Sequence, residues 1–144
     1  MALKAARRRA REIALQALYA WQVAGADALA EARTQEGWER CDQPLAEDLI
    51  RGVISRAPEL EQRITPVLDR PFLRLSPVER AILCIGAYEL AERTDTPFKV
   101  VINEAIELGK VFGGTDGHKY VNGVLEKLAA QLRPQELAGT RQPA

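Results

Sequence analysis

The chain has 144 residues, room for one domain or two small subdomains packed together. Hydrophobic residues make up 47 %, which excludes wholesale disorder, and no apolar run approaches the roughly 18–20 residues of a spanning helix. The net charge of zero hides an uneven distribution: +5 over residues 1–11, −6 over 12–69 and +1 over 70–144.

Residues 3–24 read as a first helix. Ile13, Ala17, Leu18 and Trp21 share one face. Lys4, Arg7, Arg8 and Arg11 fall at i, i+3, i+4 and i+7, which predicts a basic stripe with Arg9 pointing elsewhere. Gly25 suits the stop. A short helix over 27–34 takes Asp27 as N-cap, and the polar stretch from Thr34 to Pro44 reads as a loop. Leu45, Leu49, Val53 and Ile54 predict a third helix at about 44–57. Pro58 suits the first turn of the next, and Pro66 kinks it or breaks it early. Residues 70–75 form a connector with buried anchors.

Ser76-Pro-Val-Glu79 is a capping box, opening a helix to about Ala91 that is apolar around most of its circumference and therefore central. Thr96-Pro97 starts a helix that runs to about Phe112 and ends at Gly113-Gly114. Its Gly109 costs about 1 kcal/mol of helix propensity relative to alanine. Thr115 or Asp116 caps a last helix whose Val121, Val124, Leu125, Leu128 and Leu132 face inward. Beyond Pro134 the polar tail is expected to fray. The reading is all-α: a bundle of about seven helices, one domain over 1–132 and a flexible tail over 133–144.

Catalytic and metal chemistry find little material. Cys41 and Cys84 make neither a disulfide framework nor a zinc motif, and the single His118 lacks a nearby cysteine or activated serine. Glu104 and Glu107, at i and i+3, read as a solvated face, because a di-iron site needs Glu-x-x-His on other helices and the single histidine cannot complete the set. Gly113-Gly-Thr-Asp-Gly-His-Lys119 lacks the phosphate-loop spacing, although free N–H groups at this helix start, with Lys119, suit one backbone phosphate. With no clean signal-peptide apolar region, the expected setting is cytoplasmic and reducing.

The basic stripe is better material. Cations at a helix N-terminus oppose the macrodipole, and arginines at i, i+3 and i+4 repel one another. That clustering suggests a polyanion that compensates, and arginine over lysine favours single-stranded RNA through stacking and forked phosphate contacts. Tyr19 and Tyr120 are each open to two readings, stacking platform or core aromatic.

Arg7-Arg-Arg-Ala-Arg-Glu-Ile-Ala-Leu-Gln-Ala-Leu-Tyr-Ala-Trp21 resembles the opening of the NusB family of bacterial transcription antitermination factors. So do Leu75-Ser-Pro-Val-Glu-Arg-Ala-Ile-Leu83, Gly86-Ala-Tyr-Glu-Leu90, Pro97-Phe-Lys-Val-Val-Ile-Asn-Glu-Ala-Ile-Glu-Leu108 and Asp116-Gly-His-Lys-Tyr-Val-Asn-Gly-Val-Leu125. The blocks span about 3–130 in order, and the last two are highly specific. Tyr120 stands where the pattern often has Phe, and Gly109 where it often has Ala.

The resemblance implies two perpendicular three-helix subdomains sharing central helices, and no enzymatic activity, cofactor or metal. It implies binding of the boxA element of nascent RNA together with the ribosomal protein NusE. It further implies entry into the RNA polymerase elongation complex to suppress termination, notably on ribosomal RNA operons. By matching position, Lys4, Arg7, Arg8, Arg9 and Arg11 of the first helix, with Asp116, Lys119 and Tyr120 at the start of the last, would contact RNA. Tyr19 and Glu79 would face NusE. About four to five phosphate contacts would give a salt slope near −3 on single strands. Arg8→Ala and Arg11→Ala are expected to weaken RNA binding while leaving NusE binding intact, and Glu79→Lys to do the reverse. Two other readings compete: an accessory domain of an RNA-modifying enzyme, for which the chain offers no Gly-rich cofactor half, and a salt-dependent homodimer pairing the arginines with the acidic 12–69 segment.

Overall fold

The computed structural model describes residues 2–114 and 117–141. Among them run eight α-helices and three 3-10 turns, with no strand. The α-helices are α1 (Ala2–Ala24), α2 (Ala28–Thr34), α3 (Gln43–Ser55), α4 (Ala57–Ile64), α5 (Pro77–Glu92), α6 (Phe98–Phe112), α7 (Gly117–Leu132) and α8 (Pro134–Arg141).

Local chemistry sets most boundaries. Gly25, at φ 66°, takes the left-handed conformation that ends α1. Asp27 accepts from the Ala30 N–H and starts α2, and Asp42 accepts from the Leu45 N–H and starts α3. The stretch expected as loop between them carries a 3-10 turn, Trp38–Arg40. Pro66 sits in a second such turn, Thr65–Val67, so α4 ends at Ile64, an early break as its ring demands. The connector winds through a third, Phe72–Arg74. The capping box at α5 is complete, with Ser76 accepting from the Glu79 N–H and Glu79 from the Ser76 N–H, both at 3.1 Å.

Helices α1, α2 and α3 pack together, as do α5, α6 and α7. Helix α5 joins the groups by touching α1, α3 and α4 as well. Every residue from Ala81 to Leu90 is buried, including Tyr88 and Glu89, as the all-round apolar pattern requires. Two glycines permit close approach. A Cβ at Gly52 would stand 2.2 Å from the Tyr88 ring, and one at Gly109 would stand 2.9 Å from the His118 Cα. The propensity lost at Gly109 thus goes with seating the start of α7 on α6.

The tail differs from expectation. Residues 134–141 are helical because Pro134 starts a helix here rather than following one. Arg133 is buried and donates to the carbonyls of Glu89, Leu90, Arg93 and Thr96, closing the end of α5. Glu136 accepts from the Phe98 N–H at 2.8 Å, a cap for α6 supplied from another helix. Leu137 is buried. These groups tie α8 to the α5–α6 corner.

Candidate nucleic-acid interface

The single outward stripe expected on α1 is not what forms. Helix α1 buries Ala10, Ile13, Ala14, Ala17 and Leu18, and Arg11 stands at the edge of that face. Arg11 is only 4 % exposed. Its Nε and Nη2 donate to the two carboxylate oxygens of Glu89 at 2.9 Å each, a bidentate pair inside the protein. Burial alone lowers the Arg11 pKa, but the hydrogen bonds and charge of Glu89, aided by Glu104, raise it overall. As an RNA contact Arg11 is therefore corrected: a buried guanidinium that has satisfied its fork cannot reach a phosphate.

Glu104 is a second correction. Expected on a solvated face, it is buried at 8 % exposure. Arg8 donates to it from Nε and Nη2 at 3.1 and 2.8 Å, and the Arg11 Nη1 lies 3.9 Å away. Burial pushes the Glu104 carboxyl up, but the hydrogen bonds and charge of Arg8, with the charges of Arg11 and Lys4, leave it below the usual carboxylate range.

The remaining bases divide. Arg7 lies 3.7 Å from Asp42 at the start of α3. Arg9 lies 3.3 Å from Glu12, and its side chain passes Gly37. Lys4 is exposed. Lys4, Ala5, Arg8, Arg9 and Glu12 line one shallow depression, so Arg9 joins Lys4 and Arg8 there instead of pointing away from them. The acids of α3, α5 and α6, with Glu12, thus offset much of the repulsion that clustering these cations creates.

At the start of α7, Asp116 lies outside the described residues. Lys119 is on the exposed side of the helix. Tyr120 is half-buried and donates its hydroxyl to Asp69 at 3.0 Å. The Arg70 guanidinium lies 4.5 Å above its ring, within cation–π range. Sequence reasoning passed over Asp69 and Arg70, because their contact with Tyr120 spans 51 positions. Both regions hang on α6: Arg8 at Glu104, and α7 at Gly109, five residues or about 7.5 Å further along that helix.

A separate apolar hollow lies between α1, α5 and α6. It is lined by Leu15, Gln16, Tyr19, Val78 and Phe112, with Glu31 and Gln35 at the α2 side. Tyr19 is 42 % exposed there, which removes the core reading of its ring. Glu79, committed to the capping box, also turns toward the start of α7, with Oε2 4.0 Å from where a Cβ on Gly117 would stand. Among the described residues no cluster of three or more His, Cys, Asp or Glu is arranged to hold a metal, and no helix is long and apolar enough to cross a membrane.

Comparison with known proteins gives one answer. Residues 8–130 match the NusB family. A transcription antitermination protein NusB of Dechloromonas aromatica (strain RCB) is 53 % identical over 142 residues, covering 96 % of this chain and 87 % of that protein. One from Burkholderia lata is 50 % identical over 141 residues, covering 96 % and 97 %. Among solved structures, T. maritima NusB superposes with a TM-score of 0.79 at 29 % identity, covering 92 % of this chain and 96 % of that one. A crystal structure of antitermination factors NusB and NusE in complex with dsRNA superposes at 0.72 and 23 % identity, covering 86 % and 96 %, a likeness of fold.

Proposed function

This chain belongs to the NusB family, and from that premise we propose that it is a non-catalytic cytoplasmic adaptor for transcription antitermination. It binds boxA in single-stranded nascent RNA together with NusE, and it joins the elongating RNA polymerase, notably on ribosomal RNA operons. The observation that carries the reading is the depression on α1 lined by Lys4, Arg8 and Arg9, where Glu12 is the one acid in the lining and Glu104 pairs with Arg8. Three cations in one concavity suit a flexible polyphosphate, whose backbone can bend to meet them. Arg7, Asp116, Lys119 and Tyr120 extend this RNA face in the proposal. Arg11 supports it from within.

The partner face is a different surface. Tyr19 at the apolar hollow offers an aromatic anchor of the kind protein interfaces favour, and Glu79 at the start of α5 adds a charge for its rim. A NusB chain has been crystallised with NusE in complex with dsRNA, and this chain shares its fold. Binding through two faces of one rigid body lets NusE add contact surface to a modest RNA site.

The test is titration of a short boxA-like RNA with and without purified NusE. With the three cations of the depression as phosphate contacts, log K should fall against log salt with a slope near about −2, and more steeply if Arg7 and Lys119 also engage. NusE should tighten binding. Salt-independent binding, or no effect of NusE, would overturn the reading.

A further inference from the structure

Arg8 is the exposed member of a pair whose other half is not. Its side chain is 43 % exposed, whereas that of Glu104 is 10 % exposed. A guanidinium has two edges able to grip a pair of oxygens: the side edge, Nε with one Nη, and the end edge, the two Nη groups. Glu104 takes the side edge through Nε and Nη2. Glu104 leaves the end edge unclaimed, and Arg8 lines the depression together with Lys4 and Arg9.

Glu104 is itself held from behind. The Arg11 Nη1 lies 3.9 Å from it, and Arg11 is locked to Glu89 on the central helix. The carboxylate therefore sits on a rigid frame, and Arg8 is restrained before any ligand arrives. An unrestrained arginine would lose rotamer freedom on binding.

We infer that Glu104 is a positioning residue for nucleic-acid binding: it holds the side edge of Arg8 so that the end edge meets a backbone phosphate of single-stranded RNA. This rests on the RNA-binding reading above. It also makes a counter-intuitive prediction of sign. Charge alone says that removing a carboxylate beside an anion site tightens RNA binding; positioning says that removing it weakens binding.

The experiment is fluorescence titration of a boxA-like single-stranded oligonucleotide over a salt series. The proteins are the wild type, Glu104→Gln, Arg8→Lys and the double variant. Glu104→Gln should weaken binding about fivefold with the salt slope unchanged. Arg8→Lys, which keeps the charge and loses the fork, should weaken it by at least as much. In the Arg8→Lys background Glu104→Gln should weaken binding no further.

Glu104→Asp keeps the charge and shortens the reach, so it serves where the glutamine variant does not fold; it too should weaken binding. Tighter binding by Glu104→Gln, an equal effect in both backgrounds, or unchanged affinity of Glu104→Asp would each overturn the inference. Weakening by Lys4→Ala and Arg9→Ala while the Glu104 variants bind as wild type would overturn it and leave the RNA reading standing. A wild-type protein that binds no RNA would overturn both.

Discussion

Arg11 and Glu89 form a buried bidentate ion pair, 4 % and 1 % exposed, that joins α1 to the central helix α5. It sits beneath the surface that carries Lys4, Arg8 and Arg9. One arginine of a five-residue basic cluster is thus part of the interior, and its neighbours are what a ligand meets.

Arg11→Ala should lower folding stability by about 3–5 kcal/mol, since it leaves Glu89 charged and alone in the core. Arg8→Ala should cost less, about 1–3 kcal/mol, since it strips the buried Glu104 of two hydrogen bonds but leaves Arg11 3.9 Å away. Urea denaturation separates them. In RNA titrations under fully folded conditions, the Arg8 variant should be the one that loses affinity through a direct contact.

Glu104 contributes to acid sensitivity. Its folded pKa is depressed, so its contribution is present above the unfolded value near 4.5 and is lost as pH falls through the folded value. Glu136 adds a loss of the same sign. Thermal midpoints of the wild type should therefore fall as pH drops below about 4.5. Those of Glu104→Gln should fall less steeply across the same window.

Gly52→Ala should be destabilising although it raises helix propensity. The new methyl would stand 2.2 Å from the Tyr88 ring, whose hydroxyl is held by Asp48 at 2.8 Å. Moving the ring breaks that bond, and overpacking costs about 1–3 kcal/mol. Calorimetry should show a lowered midpoint. Gly123→Ala, with open space at its Cβ, is the matched control and should raise it.

Arg133→Met should loosen the α5–α6 corner. The guanidinium serves four backbone carbonyls, and each buried carbonyl left unsatisfied costs about 1–3 kcal/mol. Amide hydrogen exchange should speed up at the first turn of α6 and along α8. Protection confined to wild-type levels there would show that α8 does not brace the corner.

Cys84 reports on folding. Burial pushes its thiol up to about 12, so almost no thiolate exists near neutral pH. An aromatic disulfide reagent at pH 8 should label it only at the rate of unfolding, and the labelling should accelerate in Arg11→Ala.

The sequence by itself determined the first seven helices and most of their ends. The Ser76–Glu79 capping box, the Asp27 cap and the stops at Gly25 and Pro66 act within a few residues, so the chain states them locally. It also determined that α5 is central, because an all-round apolar helix has nowhere else to go. The family blocks added the binding assignment that spacing left open. Only the tertiary structure decided which bases look outward. Periodicity gives an angle around the helix, but whether Arg11 at that angle meets water or a carboxylate depends on Glu89, 78 positions away. Arg8 depends in the same way on Glu104 at 96 positions, and Tyr120 on Asp69 at 51. The frayed tail expected after Pro134 became a helix because Arg133 and Glu136 find their partners on α5 and α6. Charge pairs of this kind form only once folding has brought distant helices together and removed the water between them, so nothing local in the chain announces them.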